Sequence, residues 1–96
     1  ISQVARANAL ARSLRMDEAL ALLDAVLEKG PDELSALKTR ARLRRLHGDP
    51  GAALRDVERY LTHRAQDVAF LDLKADLLDI LQRPHEARRV RDAAAA

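Results

Sequence analysis

Small residues recur along this chain at a fixed spacing of 34 residues. Two series of alanines share the spacing: Ala7, Ala41 and Ala75, and Ala19, Ala53 and Ala87. A period of this length indicates that one supersecondary unit has been copied and stacked, so the chain is restricted to repeat architectures. We therefore predict a single domain over residues 1–96 with three repeats, at about 1–33, 34–67 and 68–96.

The composition favours helices throughout. Ala, Leu and Arg are abundant, whereas β-branched and aromatic residues are scarce, so we predict an all-α fold. No apolar run reaches the roughly 18 residues of a membrane span, and no signal peptide is recognisable. Cysteine is absent, which excludes disulfides and favours a cytoplasmic location, with a periplasmic one left open. Because the chain begins at Ile1, we expect it to be a fragment of a longer protein.

The clearest local signal is the segment His47-Gly48-Asp49-Pro50. Gly48 is typical of the left-handed position after a helix, Asp49 of an N-cap, and Pro50 of a first helical residue. Gly30-Pro31 predicts another helix end with glycine in the left-handed position. The expected starts of the other helices are Asp17, Asp32 or Glu33, Asp67, and Pro84, and the run Ala93–Ala96 is expected to fray.

These residues resemble the tetratricopeptide repeat family, whose unit is a helix–turn–helix of 34 residues. The two alanine series, Pro31 and the turn at Gly48 match its small, closing and turn positions, and the resemblance covers nearly the whole chain. The aromatic landmarks are replaced, largely by leucine, and Arg91 stands where a core residue is expected. The resemblance implies a right-handed α-solenoid of three hairpins with six antiparallel helices. It also implies a concave groove that binds an extended or helical peptide of a partner protein.

The resemblance assigns the groove to the first helix of each repeat. In that register the partner-binding residues are Asn8, Arg12, Lys38, Arg42, Arg45, Asp72, Asp76 and Asp79. The last six form three pairs of opposite charge, each 34 residues apart: Lys38 with Asp72, Arg42 with Asp76, and Arg45 with Asp79. Two interpretations remain open. The pairs are a ladder of surface ion pairs worth about 0–1 kcal/mol each, or they form a dipolar groove that orients a charged partner.

Other functions have less support in the sequence. The basic excess is confined to the middle third, with eight basic and four acidic residues, and no stacking aromatics accompany it, so we predict no nucleic-acid binding. The three histidines lack metal-ligand spacing. The carboxylates Asp17, Glu18 and Asp24 fit a helix start and a solvated face better than acid–base catalysis. With no phosphate loop or nucleophile motif present, we predict neither an enzyme nor a cofactor.

Two alternatives to peptide binding remain. In the first, the chain is a structural or self-association element, either a monomer or a weak homodimer. The homodimer would pair through Leu71, Leu78 and Leu81 at a poorly capped end of the repeat array. Otherwise it is a regulatory appendage of an enzyme that lies outside these residues. A clamp for a partner's C-terminal carboxylate is not expected, because only Asn8 matches the side chains that such clamps use.

Overall fold

The computed structural model describes residues 2–12 and 15–95. Within these ranges the chain is entirely helical, with six α-helices and no strands, which confirms the all-α prediction. The helices are α1 (Gln3–Arg12), α2 (Met16–Lys29), α3 (Leu34–Leu46), α4 (Pro50–His63), α5 (Val68–Ile80) and α6 (Pro84–Ala95). No helix in the described ranges has the length and apolarity needed to cross a bilayer.

Side-chain caps begin three of the helices as the sequence predicts. Glu33, Asp49 and Asp67 each accept a hydrogen bond from a backbone N–H two or three residues later. The predicted cap at Asp17 is wrong, because α2 begins at Met16 and Arg15 precedes it without a capping side chain. Asp17 lies instead in the first helical turn, where its carboxylate interacts favourably with the positive end of the helix dipole.

The turns within successive hairpins have equivalent geometry. Gly48 adopts φ 84°, and Gln82, which lies 34 residues later, adopts φ 60°. In both turns the following N–H donates to the carbonyl five residues earlier, at 2.8 Å. Gly30 does not adopt the predicted left-handed conformation: its φ is −133°, and its N–H donates to the Val26 carbonyl. The end of α2 therefore closes by a different turn, without need for a positive φ.

The alanines of the 34-residue period lie in the core. All six have 0% of their surface exposed, so the period places small residues where helices approach closely. Each helix packs against the next along the chain, and α1 also packs against α3. The molecule measures 39 × 24 × 19 Å. Helix α6 extends through the C-terminal alanines to Ala95, and Ala96 lies outside the described residues.

The predicted self-association surface is largely covered. Leu78 is 1% exposed and belongs to the core, while Leu71 and Leu81 are half-buried against it. This prediction is wrong for Leu78 because α6 packs on α5 and covers that position. The large apolar residues that are exposed in the described ranges are Leu46 (75%), Val68 (57%) and Ile80 (52%).

Candidate functional site

A cleft of about 380 Å³ opens between α3 and α5. Its α3 side is formed by Arg42, Arg45 and Leu46, and its α5 side includes Phe70, Asp72 and Asp76. Ala69 and Leu73 complete the apolar part of the lining. We call these eight residues the α3–α5 cleft. Half of the eight predicted partner-binding residues therefore lie together around an apolar surface.

Two cations lie over the aromatic rings beside this cleft. The Phe70 ring lies 4.4 Å from the Tyr60 ring between centroids, and Phe70 is only 1% exposed. The Lys38 ammonium lies 5.7 Å from the Tyr60 centroid and 5.8 Å from that of Phe70, while the Arg42 guanidinium lies 5.2 Å from Phe70. These distances suit cation–π attraction, which orients both side chains on the apolar surface without neutralising their charge.

A buried hydrogen bond fixes the Tyr60 side chain. Its hydroxyl donates to Asp67, whose other carboxylate oxygen accepts from the Phe70 N–H that begins α5. The hydrogen bond from Tyr60 holds the pKa of Asp67 below its ordinary value, and the same bond, assisted by burial, raises the pKa of Tyr60. One carboxylate thus links the end of α4 to the start of α5 and positions the ring pair beneath the cleft.

The ladder of ion pairs does not form in this structure. Within the described residues none of the three predicted pairs approaches the 4.0 Å of a salt bridge. Instead, Arg91 of α6 contacts Asp76 at 3.2 Å and Asp79 at 2.6 Å. This contact also accounts for an arginine where a core residue is expected, because the Arg91 side chain is 46% exposed and reaches over to α5. Asp72 lines the cleft without a basic partner within 4.0 Å in the described ranges.

The remaining predicted residues lie outside the cleft lining. Asn8 is half-buried on α1, and Arg12 is the exposed last residue of that helix. Lys38 lies beside the lining over the two rings, and Asp79 lies next to it in contact with Arg91. Sequence reasoning missed Leu46 and Phe70 as site residues, since both carry the apolar spacing of a core helix. A usable signal for Leu46 is its 34-residue spacing from Ile80, which is also a large apolar residue and is the last residue of α5.

The other arginines of α3 belong to a buried ion cluster. Arg40 donates to both carboxylate oxygens of Asp56, at 2.9 and 2.7 Å, and Arg44 donates to the same carboxylate at 3.0 Å. Asp24 contacts Arg40 at 3.0 Å and Arg44 at 3.7 Å. Asp24 keeps 56% of its side chain exposed, as a solvated face requires, but it also joins α2 to α3. We call Asp24, Arg40, Arg44 and Asp56 the ion cluster.

The ion cluster lies at a first helix junction, formed by α2, α3 and α4, and the second junction, formed by α4, α5 and α6, repeats it only in part. The positions 34 residues later are Glu58, Lys74, Leu78 and Val90. Lys74 contacts Glu58 at 3.7 Å, which reproduces the pair of Arg40 with Asp24. Leu78 and Val90 replace the other two charges and pack with the core. Two positions that are equivalent in the 34-residue period therefore carry charged side chains at the first junction and apolar side chains at the second.

The histidines lie at exposed positions near helix ends. His47 contacts Asp17 at 3.3 Å, and His63 contacts Asp32 at 3.3 Å. No group of three or more His, Asp or Glu side chains suited to a metal ion occurs in residues 2–12 and 15–95. The side chains that line the α3–α5 cleft are charged and apolar.

Comparison of the chain with known proteins gives no match to any family model and no match among curated proteins. The resemblance to tetratricopeptide repeats thus remains one of residue pattern and of the 34-residue period. Any function has to be argued from the α3–α5 cleft.

Proposed function

We propose that this chain is a protein-interaction module that binds a peptide segment of a partner protein in the α3–α5 cleft. The observation that carries the proposal is the pairing of an apolar cleft surface with charges that have no internal counter-ion. Arg42, Arg45 and Asp72 lie at this surface without an oppositely charged side chain within 4.0 Å in the described ranges. Charges placed in this way around apolar surface provide specificity for a charged partner.

The repeat architecture supports the same proposal. The recurring buried alanines and the equivalent turns at Gly48 and Gln82 agree with three stacked units of the tetratricopeptide type. We propose that these units form a right-handed solenoid, in which the first helix of each unit contributes to one peptide-binding surface. The module would then act as a scaffold or adaptor, without a catalytic step of its own. The lack of cysteine is the argument for a cytoplasmic location in this proposal.

The volume of the cleft agrees with a peptide ligand. Its 380 Å³ is enough to hold one or two side chains of such a segment, and its lining combines apolar residues with a few charged groups. Leu46 is 75% exposed at this surface, so a partner that covers it gains the free energy of burying apolar area. An extended or helical segment can bury Leu46 and still leave the helices of the module unchanged.

Selection of random displayed peptides on the immobilised chain tests the proposal. We expect binders whose affinity falls in the variant Leu46→Ser, because that change removes exposed apolar surface from the cleft. Val68→Ser is the matched control, since Val68 is also exposed (57%) but does not line the cleft. Both changes lie at the surface and should alter folding stability by only about 0.5 kcal/mol. Failure to select any peptide, or equal losses in both variants, would contradict the proposal.

Self-association is the second candidate function, and one observation favours it. Leu46 and Ile80 lie 34 residues apart, end α3 and α5 respectively, and are both exposed. Two such residues at equivalent positions form a repeated apolar feature that a second copy could cover. Sedimentation equilibrium over a wide concentration range tests this candidate. A constant monomer mass would exclude it, whereas a dimer lost in Leu46→Ser would favour it over peptide binding.

A further inference from the structure

The arginines of α3 divide into two sets with different surroundings. Arg40 and Arg44 contact carboxylates of the ion cluster at 2.7–3.7 Å and are mostly buried. Arg42 and Arg45 are exposed and have no carboxylate within 4.0 Å in the described part of the chain. Asp76, which lines the same cleft, contacts Arg91 instead. The cleft therefore presents two unneutralised guanidinium groups on its α3 side.

The two free arginines extend from the same face of α3. Arg42 and Arg45 are three residues apart on one helix, a spacing that places their Cβ atoms about 5–6 Å apart on the same face. Arg42 is also oriented by its contact with the Phe70 ring. Guanidinium groups bind carboxylates through paired, charge-assisted hydrogen bonds. One carboxylate, or two from neighbouring residues, can therefore contact both arginines.

Apolar surface lies directly beside these arginines. Leu46 follows Arg45 in the sequence and is 75% exposed, and Ala69 on the α5 side of the same cleft is exposed as well. A ligand that contacts the guanidinium groups can also cover Leu46 with an apolar side chain. The cleft thus pairs a site for negative charge with a site for an apolar group.

Resting on the proposed function, we infer that the segment bound in the α3–α5 cleft is an acidic peptide with an apolar anchor. Its Asp or Glu carboxylate binds Arg42 and Arg45, and a large apolar side chain within a few residues packs on Leu46 and Ala69. Asp72 on the opposite side disfavours a second carboxylate there and fixes the direction of the segment. The occupant is a segment of another protein, whose acidic group complements the two arginines that have no carboxylate partner in the described residues.

Sequencing of the displayed peptides tests this inference. Peptides selected on the wild-type chain should be enriched in Asp or Glu near Leu, Ile, Phe or Met. A synthetic peptide copied from a selected sequence should lose about tenfold in affinity when its acidic residue is changed to the amide. Its affinity should also fall between roughly 0.15 M and 1 M salt, because exposed charges are screened.

A charge-reversed chain provides the complementary measurement. The double variant Arg42→Glu with Arg45→Glu should lose affinity for the acidic peptide by about tenfold or more. The control Arg55→Glu with Arg88→Glu changes the net charge equally at exposed positions outside the cleft lining, and it should bind as the wild type does. Circular dichroism of both variants establishes that they are folded.

The outcomes separate the inference from the proposed function. Peptides that lose affinity with Leu46→Ser but carry no acidic enrichment would overturn the inference and leave peptide binding intact. Peptides that bind both charge-reversed variants equally would overturn it as well. If no cleft-dependent peptide is obtained, the proposed function fails and the inference fails with it. A concentration-dependent dimer that Arg42→Glu with Arg45→Glu abolishes would identify a second copy as the occupant, which also overturns the inference.

Discussion

Removal of the Asp56 carboxylate should destabilise the fold more than any other single change in the ion cluster. Only 4% of the Asp56 side chain is exposed, and its two oxygens accept three hydrogen bonds from Arg40 and Arg44. Asp56→Ala leaves both guanidinium groups without that partner. Only 17% of the Arg40 side chain and 22% of the Arg44 side chain are exposed, so water can replace the carboxylate only in part.

The size of the loss follows from this partial burial. Breaking a fully buried ion pair by removing one partner costs about 3–5 kcal/mol. Asp24 still lies 3.0 Å from Arg40 and 3.7 Å from Arg44, which offsets some of the uncompensated charge. We therefore expect the lower end, about 3 kcal/mol, a large part of the 5–15 kcal/mol by which domains are usually stable. In a chain of this size the melting temperature should fall by roughly 15 °C.

Urea denaturation followed by far-UV circular dichroism measures the effect, with Asp24→Ala as the matched control. Asp24 contacts the same two arginines but is 56% exposed, so its removal should cost less than about 1 kcal/mol. Similar losses in the two variants would refute the argument that burial determines the cost. A loss under about 1 kcal/mol for Asp56→Ala would refute it too.

A double replacement tests whether uncompensated charge causes the loss. Arg44→Leu with Asp56→Val copies the residues found 34 positions later, Leu78 and Val90, and removes a base together with an acid. Arg40 keeps Asp24 as its partner in this variant, as Lys74 keeps Glu58 at the second junction. Exchange of a buried ion pair for apolar residues is often neutral or stabilising, so we expect stability within about 1 kcal/mol of the wild type. A double variant as unstable as Asp56→Ala would show that shape, rather than charge, dominates this junction.

Four further substitutions have defined outcomes in the same denaturation assay. Gln82→Gly should stabilise the fold by about 0.5–1 kcal/mol, because glycine adopts the positive φ of this position without strain. Gly48→Ala should destabilise the fold by about 1 kcal/mol, because Gly48 also has a positive φ. Nothing lies within 4 Å of the added Cβ, so this cost is one of backbone conformation alone. Unchanged stability in both variants would contradict this. Tyr60→Phe should weaken the loss of folding stability that occurs as the pH falls from about 5 to below 3.8, the ordinary pKa of Asp67. The lowered pKa of Asp67 gives stability that is present above its unfolded pKa and lost as pH falls, and the Tyr60 hydroxyl is the main cause of that lowering. An identical pH dependence in the variant would refute it. Arg91→Ala should leave the folding stability almost unchanged, because its ion pairs are half exposed, and a clear loss of stability would indicate a packing role.

The turn between α3 and α4 could be predicted from the sequence, and so could the burial of the alanines that recur every 34 residues. Gly48, Asp49 and Pro50 each encode one backbone feature, and all three occur as predicted. The alanines were predictable because a recurring small residue indicates close helix approach. Gln82 was not, because it carries no sign of its left-handed conformation, which the turn geometry imposes on it.

The partners of the surface charges could not be predicted from register alone. We predicted a pair between Arg42 and Asp76 because they occupy equivalent positions 34 residues apart. In the structure Asp76 contacts Arg91 of the following helix instead. A long arginine side chain reaches across to the neighbouring helix of its own hairpin, and exposed pairs are too weak to enforce a particular partner. Which carboxylate an arginine contacts thus depends on details of packing that a 34-residue period does not contain.

The comparison of the two helix junctions bears on the cleft as well. Leu78 and Val90 occupy between α5 and α6 the positions that Arg44 and Asp56 occupy between α3 and α4, so packing within a helix hairpin does not require charge there. The charges of α3 that contribute to folding are those in contact with the buried Asp56. Arg42 and Arg45 have no such contact, and two like charges on one helix face repel each other slightly. Their position beside the exposed Leu46 is the arrangement that the proposed acidic segment requires, and its carboxylate would remove that repulsion on binding.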